Sequence, residues 1–440
     1  RTLLVLSLVG LAAAGTTAYL GWRNARDALA EQALAQLTSV REAKADQIEA
    51  YVQTIVDQVA SLSEDEMIVH ALAGFAGAFE LADGPDERQR DIDLRLHYEQ
   101  EVLSRMDASS GAVRSLDELL PVDGLARAFQ HRYIAANPFE TGAKHQLDDP
   151  GDGSEYATLH ARYHPRLRRF IERFGFYDLF LVDADSGRIV YSVYKEIDFA
   201  TSLDRGPHRD SNLAQAFRAA REGGSQGFVR LVDFAAYAPS YGAQASFIAA
   251  PVFDGEDLLG VLAFQMPLDR INDVMTSNRE WADVGLGDSG ECYIVGEDYT
   301  LRNESRFMIE SPETYLQGLR GSGMAPRALA AIESLGSAIG LQEVLTEGSL
   351  AAHAGRTGEG AFPDYRGVRV LSAYKPLALP DVKWSILSEI DEREALAPAR
   401  RLRDQVLLSL LGIAAFVTAA ALAFTRSLSR PIERLSKTAA

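Results

Sequence analysis

Two polar constellations in the chain have residue types and spacing that could do chemistry. Residues 176–199, FYDLFLVDADSGRIVYSVYKEIDF, run as an apolar stretch, a polar turn, a second apolar stretch, and then Tyr194, Lys195, Glu196 and Asp198. Farther along, Arg230, Asp233, Tyr237, Ser240 and Tyr241 crowd a segment that reads as a loop entering the next strand. Tyrosine offers a flat apolar face with a hydroxyl, and opposed Lys or Arg and Asp groups suit a zwitterion or a small carboxylate. Loops carried on a rigid sheet are where binding groups collect. A plainer reading stays open: Lys195 with Asp198 and Arg230 with Asp233 are also ordinary i, i+3 surface pairs, and tyrosines pack sheets.

Other motifs point to chemistry and do not complete it. Gly285, Gly287 and Gly290 spell G-x-G-x-x-G, but the run enters a strand, CYIVG, where a dinucleotide fingerprint enters a helix. Gly-Asp-Ser-Gly around Ser289, with His353 downstream, echoes trypsin-like proteases in reversed chain order. The glycines are expected to make a turn. His160 and His164 share a helix face, but no H-E-x-x-H or CxxC completes a metal shell, and His164 precedes Pro165 near an expected helix boundary. No catalytic residue, metal or cofactor is expected.

The elements that must position these residues follow from composition. With 440 residues, 47% hydrophobic and 24% charged, there is room for two or three packed domains. A formal charge of −18 repels a phosphate backbone, so nucleic acid is not an expected partner. The single cysteine, Cys292, excludes an intrachain disulfide.

Residues 2–22 and 405–425 each run for 21 residues without a charge. At about 1.5 Å per residue each spans the roughly 30 Å hydrocarbon layer, which predicts two transmembrane helices. Cleavage of the first as a signal peptide, at Ala12 and Ala14, is the competing account. Basic residues flank the second span on both sides and leave orientation to other evidence. Long loops translocate largely regardless of charge, and an acidic, nearly thiol-free region 23–404 suits an extracytoplasmic space, the periplasm of an inner-membrane protein. The tail 426–440, with Pro431, Ile432 and Leu435, resembles the start of a HAMP linker, which would place it inside the cell before a further output domain.

Between the spans, Leu34, Leu37, Ile48, Val52, Ile55, Val59 and Leu62 form an apolar seam on a charged rod. Part of it is expected to pack on its own domain and part on a second copy. Residues 67–173 stay mostly helical apart from the loop 137–154. Strand pairs then appear at 178–192 and 246–271, and again at 291–305 and 370–396, a period of roughly 110 residues that predicts duplication of a small module. Each set ends in an acidic helix start, PLDRIND or EIDEREA.

These features resemble the double Cache (dCache) sensor region of bacterial chemoreceptors. The phrases that carry the resemblance are YDLFLVDADSGRIVYSVYKEIDF, VDFAAYAPSYGAQASFIAAPVF, GLGDSGECYIVGEDYTLRNESRF and VKWSILSEID. The resemblance implies an α+β fold: a long N-terminal helix plus two tandem PAS-like antiparallel-sheet modules between transmembrane helices. The expected divisions are span 2–22, long helix 23–75, membrane-distal module 76–275, membrane-proximal module 276–398, span 405–425 and HAMP start 426–440. It further implies a sensor that holds a small molecule in the distal module and signals inward, most simply in chemotaxis. A histidine kinase, a nucleotide cyclase and a tethered enzyme are the alternatives. A membrane, a second copy and cytoplasmic signalling proteins are the implied partners. Relatives that grip amino acids carry an aspartate on the strand after a GV pair, where this chain has Gln265, and their Arg-x-Trp-Tyr element has no counterpart here. A neutral amide cannot neutralise an ammonium group, so a carboxylate or a polar neutral solute is expected, with Gln265 as a hydrogen-bonding contact.

Overall fold

The computed structural model describes residues 2–80, 87–106, 115–321 and 323–424. A single helix, α1 (Thr2–Ser63), runs the length of the molecule and lies against two antiparallel sheets. Most of its seam is buried: Ile48, Val52, Ile55 and Val59 join the core of the first sheet, and Leu37 packs with Trp281, Leu286, Leu371 and Ala373 beside the second, while Leu34 and Leu62 at its two ends are half-buried. The chain's own sheets therefore cover the middle of the stripe.

The first sheet comprises β1 (Asp178–Asp183), β2 (Ile189–Ser192), β3 (Arg230–Ala236), β4 (Gln244–Asp254) and β5 (Asp257–Gln265), in the order β2-β1-β5-β4-β3. Both expected hairpins form, and Gly255, at φ 62°, supplies the positive φ that the tight β4–β5 turn requires. Residues 230–236, expected as loop, are an edge strand instead, paired antiparallel to β4 with an irregularity between Val232 and Ala235. Backbone pairing to a neighbour overrides the weak alternation of RLVDFAA.

The second sheet, β6 (Glu291–Val295), β7 (Gly358–Pro363), β8 (Arg369–Pro376) and β9 (Ser385–Asp391), has the order β6-β9-β8-β7. The hairpin expected at 291–305 is reduced to β6 and isolated bridges, Val295 to Leu301 and Thr300 to Glu343. The repeat is therefore imperfect: five strands answer to four.

Helices α2 (Glu66–Glu80) and α5 (Glu155–Phe174) cover one face of the first sheet, where Phe75 stacks on Tyr191 at 4.8 Å and Phe176 meets Phe264 at 4.5 Å. Ser154 caps α5 by accepting from Ala157 N, and Gly175 ends it in the left-handed region at φ 79°. The helix continues through Pro165, contrary to the expected boundary there. The carbonyl that proline leaves without a donor belongs to exposed Ala161, where water can serve it. α6 (Asn212–Glu222) covers the opposite face. Helices α3 (Glu87–His97) and α4 (Gly124–Gln130) pack together as a cap over the segment that follows β2, where Ile197 joins Leu94, Tyr98, Val102 and Leu119 and Gln130 donates to the Ile197 and Phe199 carbonyls.

The chain leaves β9 through the short turn Glu392–Ala395 into the final helix, Ala397–Phe424. Within Ala397–Ala423 an 18-residue stretch reaches a mean hydropathy of 2.4, long and apolar enough to cross a membrane, with Leu408, Leu411 and Phe416 about 70% exposed. The expected HAMP start at 426–440 lies outside the described residues.

Candidate ligand-binding site

Register places the site. Asp178, at the start of β1, is the direct cross-strand neighbour of Gln265 on β5, which in turn pairs with Phe247 on β4. Paired residues share a face, so Asp178, Gln265 and Phe247 project with Phe180 and Ser192 to the side opposite α2 and α5. The Asp178 carboxylate accepts from the backbone N–H groups of Leu179, Val193 and Tyr194 at 2.7, 2.9 and 3.1 Å, which locks the exit of β2 against β1. Burial, reinforced by nearby Asp198, nevertheless pushes it up to about 7.

After β2 the chain turns sharply. Lys195 adopts φ 58°, a left-handed conformation uncommon for lysine, and its N–H donates to Ser192 Oγ at 2.9 Å. Its ammonium is buried, donates to the Ser192 carbonyl, and lies 4.4 Å from the Tyr191 ring centroid and 5.3 Å from that of Phe199. Burial draws Lys195 down to about 7, against the opposing pull of Asp178. Asp198 is wholly buried: Oδ2 accepts from the Tyr237 hydroxyl, while Oδ1 receives no well-directed hydrogen bond, with the backbone N–H groups of Asp198 and Phe199 close enough to favour the charged form. Burial pushes Asp198 up to about 6, against the Tyr237 hydrogen bond. Glu196, partly exposed, is pushed well up by burial and by the acids at 198 and 178.

The cap closes over this cluster. Gln130 donates to the carbonyls of Ile197 and Phe199 at 2.7 and 2.8 Å and accepts from Tyr98 at 2.6 Å. Ser240 lies on the turn Ala238–Ser240 and accepts from Gln265 at 3.4 Å, a long contact, while Tyr241 packs among the apolar residues of the cap. Between Tyr194, Lys195 and Glu196 on one side and His97, Lys144 and Tyr241 on the other remains a cavity of about 20 Å³, room for one water. A metabolite fits only if the cap opens.

Seven of the nine residues expected from sequence, Tyr194, Lys195, Asp198, Tyr237, Ser240, Tyr241 and Gln265, therefore surround one buried region. Arg230 and Asp233 do not join them. They lie on β3 and turn to the second sheet, where Asp381 pairs with Arg230 at 2.8 Å and Arg302 grips Asp233 at 2.9 and 2.8 Å. Sequence reasoning passed over Asp178, Ser192, Gln130 and Tyr98. The carboxylate sought at 265 stands one strand away at 178, and only the β1–β5 register could have revealed it.

The residues set aside as non-catalytic have structural partners. Ser289 Oγ donates to Glu394 and accepts from Asp391 N, whereas His353 Nδ1 lies 3.1 Å from Ser385. His160 and His164 are buried with ring centroids 4.3 Å apart. His164 bridges the Tyr191 hydroxyl and the His145 carbonyl at 2.7 Å each, and burial pushes both imidazoles well down, so they are neutral. Two larger grooves, about 620 Å³ beside α1 and about 500 Å³ at the β1–β2 turn, are lined by other residues.

The family model described as a Cache domain, in its double form, matches residues 25–399. The ligand-binding domain of the Pseudomonas aeruginosa PAO1 amino acid chemoreceptor PctC, in complex with GABA, is 16% identical, with coverage of 56% of this chain and 84% of that one and a TM-score of 0.33. That of PctB from the same organism, in complex with L-Arg, is 15% identical, with coverage of 56% and 78% and a TM-score of 0.34. The extracellular domain of the putative histidine kinase mmHK1S-Z3 is 12% identical, with coverage of 54% and 80% and a TM-score of 0.31. No curated protein matches.

Proposed function

We propose, since this chain belongs to the family of double Cache domains, that its distal module, residues 76–275, is the receptor for a small polar solute, a carboxylate or a zwitterion. The observation that carries this reading is Asp198 Oδ1, wholly buried without a well-directed hydrogen bond beside Asp178 and Lys195 between a sheet and a helical cap. Burying ionisable groups together costs several kcal/mol per charge by desolvation, and here three of them, Asp178, Lys195 and Asp198, share one buried region. A ligand that supplies Asp198 Oδ1 with a donor would offset that cost.

In this proposal residues 23–404 lie outside the inner membrane, anchored by spans 2–22 and 405–425, and the proximal module 276–398 passes the signal to the second span. Two copies assemble side by side, and the output beyond a HAMP linker is chemotactic, with a histidine kinase or cyclase as the alternative. The exposed apolar flank of the final helix supports the anchor. The sensory character of the family supports a role in binding for residues 23–404, not catalysis.

The test is a thermal-shift screen of the full chain in detergent against small carboxylates, amino acids, amines and neutral metabolites. A true ligand raises the melting point by mass action. That shift should vanish in Asp198→Asn and in Gln265→Ala while both variants stay folded. No shift from any compound, or a shift that persists in both variants, would overturn the assignment.

A further inference from the structure

We infer that the Asp233 carboxylate is the pin through which the state of the distal pocket reaches the second sheet and the final helix. This rests on the sensor reading above and names the part that transmits.

β3 has two working ends. At one, Tyr237 follows the strand and holds Asp198 in the pocket. Four residues back, a span of about 13 Å at strand rise, Asp233 meets the second sheet. There Arg302, itself 2% exposed, donates Nε to Oδ1 at 2.9 Å and Nη2 to Oδ2 at 2.8 Å, a bidentate fork that fixes orientation as well as distance. Trp384 Nε1 donates to the same Oδ1 at 2.9 Å, and the Trp384 ring lies 6.0 Å from that of Phe234.

Both partners are built into the second module's frame. Arg302 N donates to Ile294 O on β6 at 2.8 Å, and a Cβ at Gly296 would overlap its guanidinium. Trp384 immediately precedes β9, which continues into the final helix. On the distal side the Asn212 amide donates to the carbonyls of Asp233 and Ala245 at 3.2 and 2.6 Å, so the irregular stretch of β3 moves with β4 and α6. A displacement of Tyr237 is thus delivered to Trp384 through one strand and one carboxylate.

Fluorine NMR of the full chain in detergent, with its three tryptophans replaced by 5-fluorotryptophan and assigned by single Trp→Phe changes, tests this without a ligand. Tyr237→Phe, which removes the hydroxyl held by Asp198, should move the Trp384 resonance by more than its linewidth and leave Trp22 in place. In an Asp233→Asn background the same substitution should leave Trp384 where Asp233→Asn alone puts it. If Tyr237→Phe does not fold, Asp198→Ala removes the acceptor of the same hydrogen bond. If Asp233→Asn does not fold, Arg302→Lys breaks the fork and keeps the charge. A Trp384 line that ignores the pocket substitution, or responds equally with the pin broken, overturns the inference. Because the perturbation is a substitution, a failed ligand screen would sink the sensor reading and leave this result standing.

Discussion

Replacing Asp198 by asparagine should make the protein more stable, and only above acid pH. Asp198 is wholly buried, and burial pushes it up to about 6 from an ordinary 3.8. The folded state therefore holds a proton more tightly than the unfolded chain. Stability from this group is full below the unfolded value, falls as pH climbs from about 4 to about 6, and stays low above. Two units at about 1.4 kcal/mol each set the scale at about 3 kcal/mol, with no screening discount because no part of the side chain reaches solvent. Asparagine is neutral at every pH and offers an oxygen to the Tyr237 hydroxyl. Asp198→Asn should thus match the parent near pH 4 and exceed it by up to about 3 kcal/mol at pH 7.5, a rise of several degrees in melting temperature. Calorimetry of both proteins in one detergent, at about pH 4.5 and pH 7.5, checks it. A variant less stable than the parent at pH 7.5, or a gap that does not widen with pH, would refute the reasoning. If the variant is the more stable one, the wild-type residue is retained at a cost in stability, as the residues of ligand sites commonly are.

Three further perturbations have defined outcomes. Gln130→Ala strips the Ile197 and Phe199 carbonyls of a shared donor and Tyr98 of its acceptor; it should cost about 2–4 kcal/mol and raise hydrogen exchange across 195–203 more than across β9. Arg302→Ala leaves Asp233 with the Trp384 and Phe234 N–H groups and 27% exposure, so the loss should fall near the low end for a broken buried pair, about 3 kcal/mol, read as a lower calorimetric transition. Phe416→Arg puts a charge midway along the uncharged stretch 405–425 of the final helix; it should raise the insertion cost by about 3 kcal/mol and release much of the protein from membranes in alkaline carbonate.

What could be read in the sequence was whatever local chemistry decides. The β1–β2 hairpin has alternating apolar runs around Asp-Ser-Gly, the β4–β5 pair turns on Gly255, and the α1 seam recurs at threes and fours, so each was legible before any neighbour was known. β7, GEGAFP, opens on glycine and closes on proline; it is a strand only because β8 offers a complete ladder from Gly358 to Pro363. β3 was hidden for the same reason, and with it the orientation of Arg230 and Asp233. Composition put those two charges near the pocket, but the partners that claim them, Asp381 and Arg302, lie in the other module. Asp178 escaped notice because its neighbour Gln265 is remote in sequence and the two meet only through strand register.

Each sheet buries carboxylates whose satisfaction differs, and both oxygens of Glu389 on β9 are as short of partners as Asp198 Oδ1. In the second, Glu291 accepts from Tyr365 at 2.5 Å and from Arg306 N at 3.1 Å, so that buried carboxylate serves to start the helix Arg306–Glu310. In the first, Asp198 Oδ1 receives no well-directed hydrogen bond, and Lys195 holds a left-handed backbone over aromatic rings. Under the proposed function, a ligand at the first site would change its energy by what it completes. Transmission needs about 1–3 kcal/mol of coupling, and a bidentate pair whose rupture costs about 3 kcal/mol can bear that load without slipping. Were Asp233 held by a solvent-exposed contact of the usual 0–1 kcal/mol, the distal module would shift and the pin would give way before Trp384 moved. Burial of Arg302 to 2% exposure is what places the joint above that threshold.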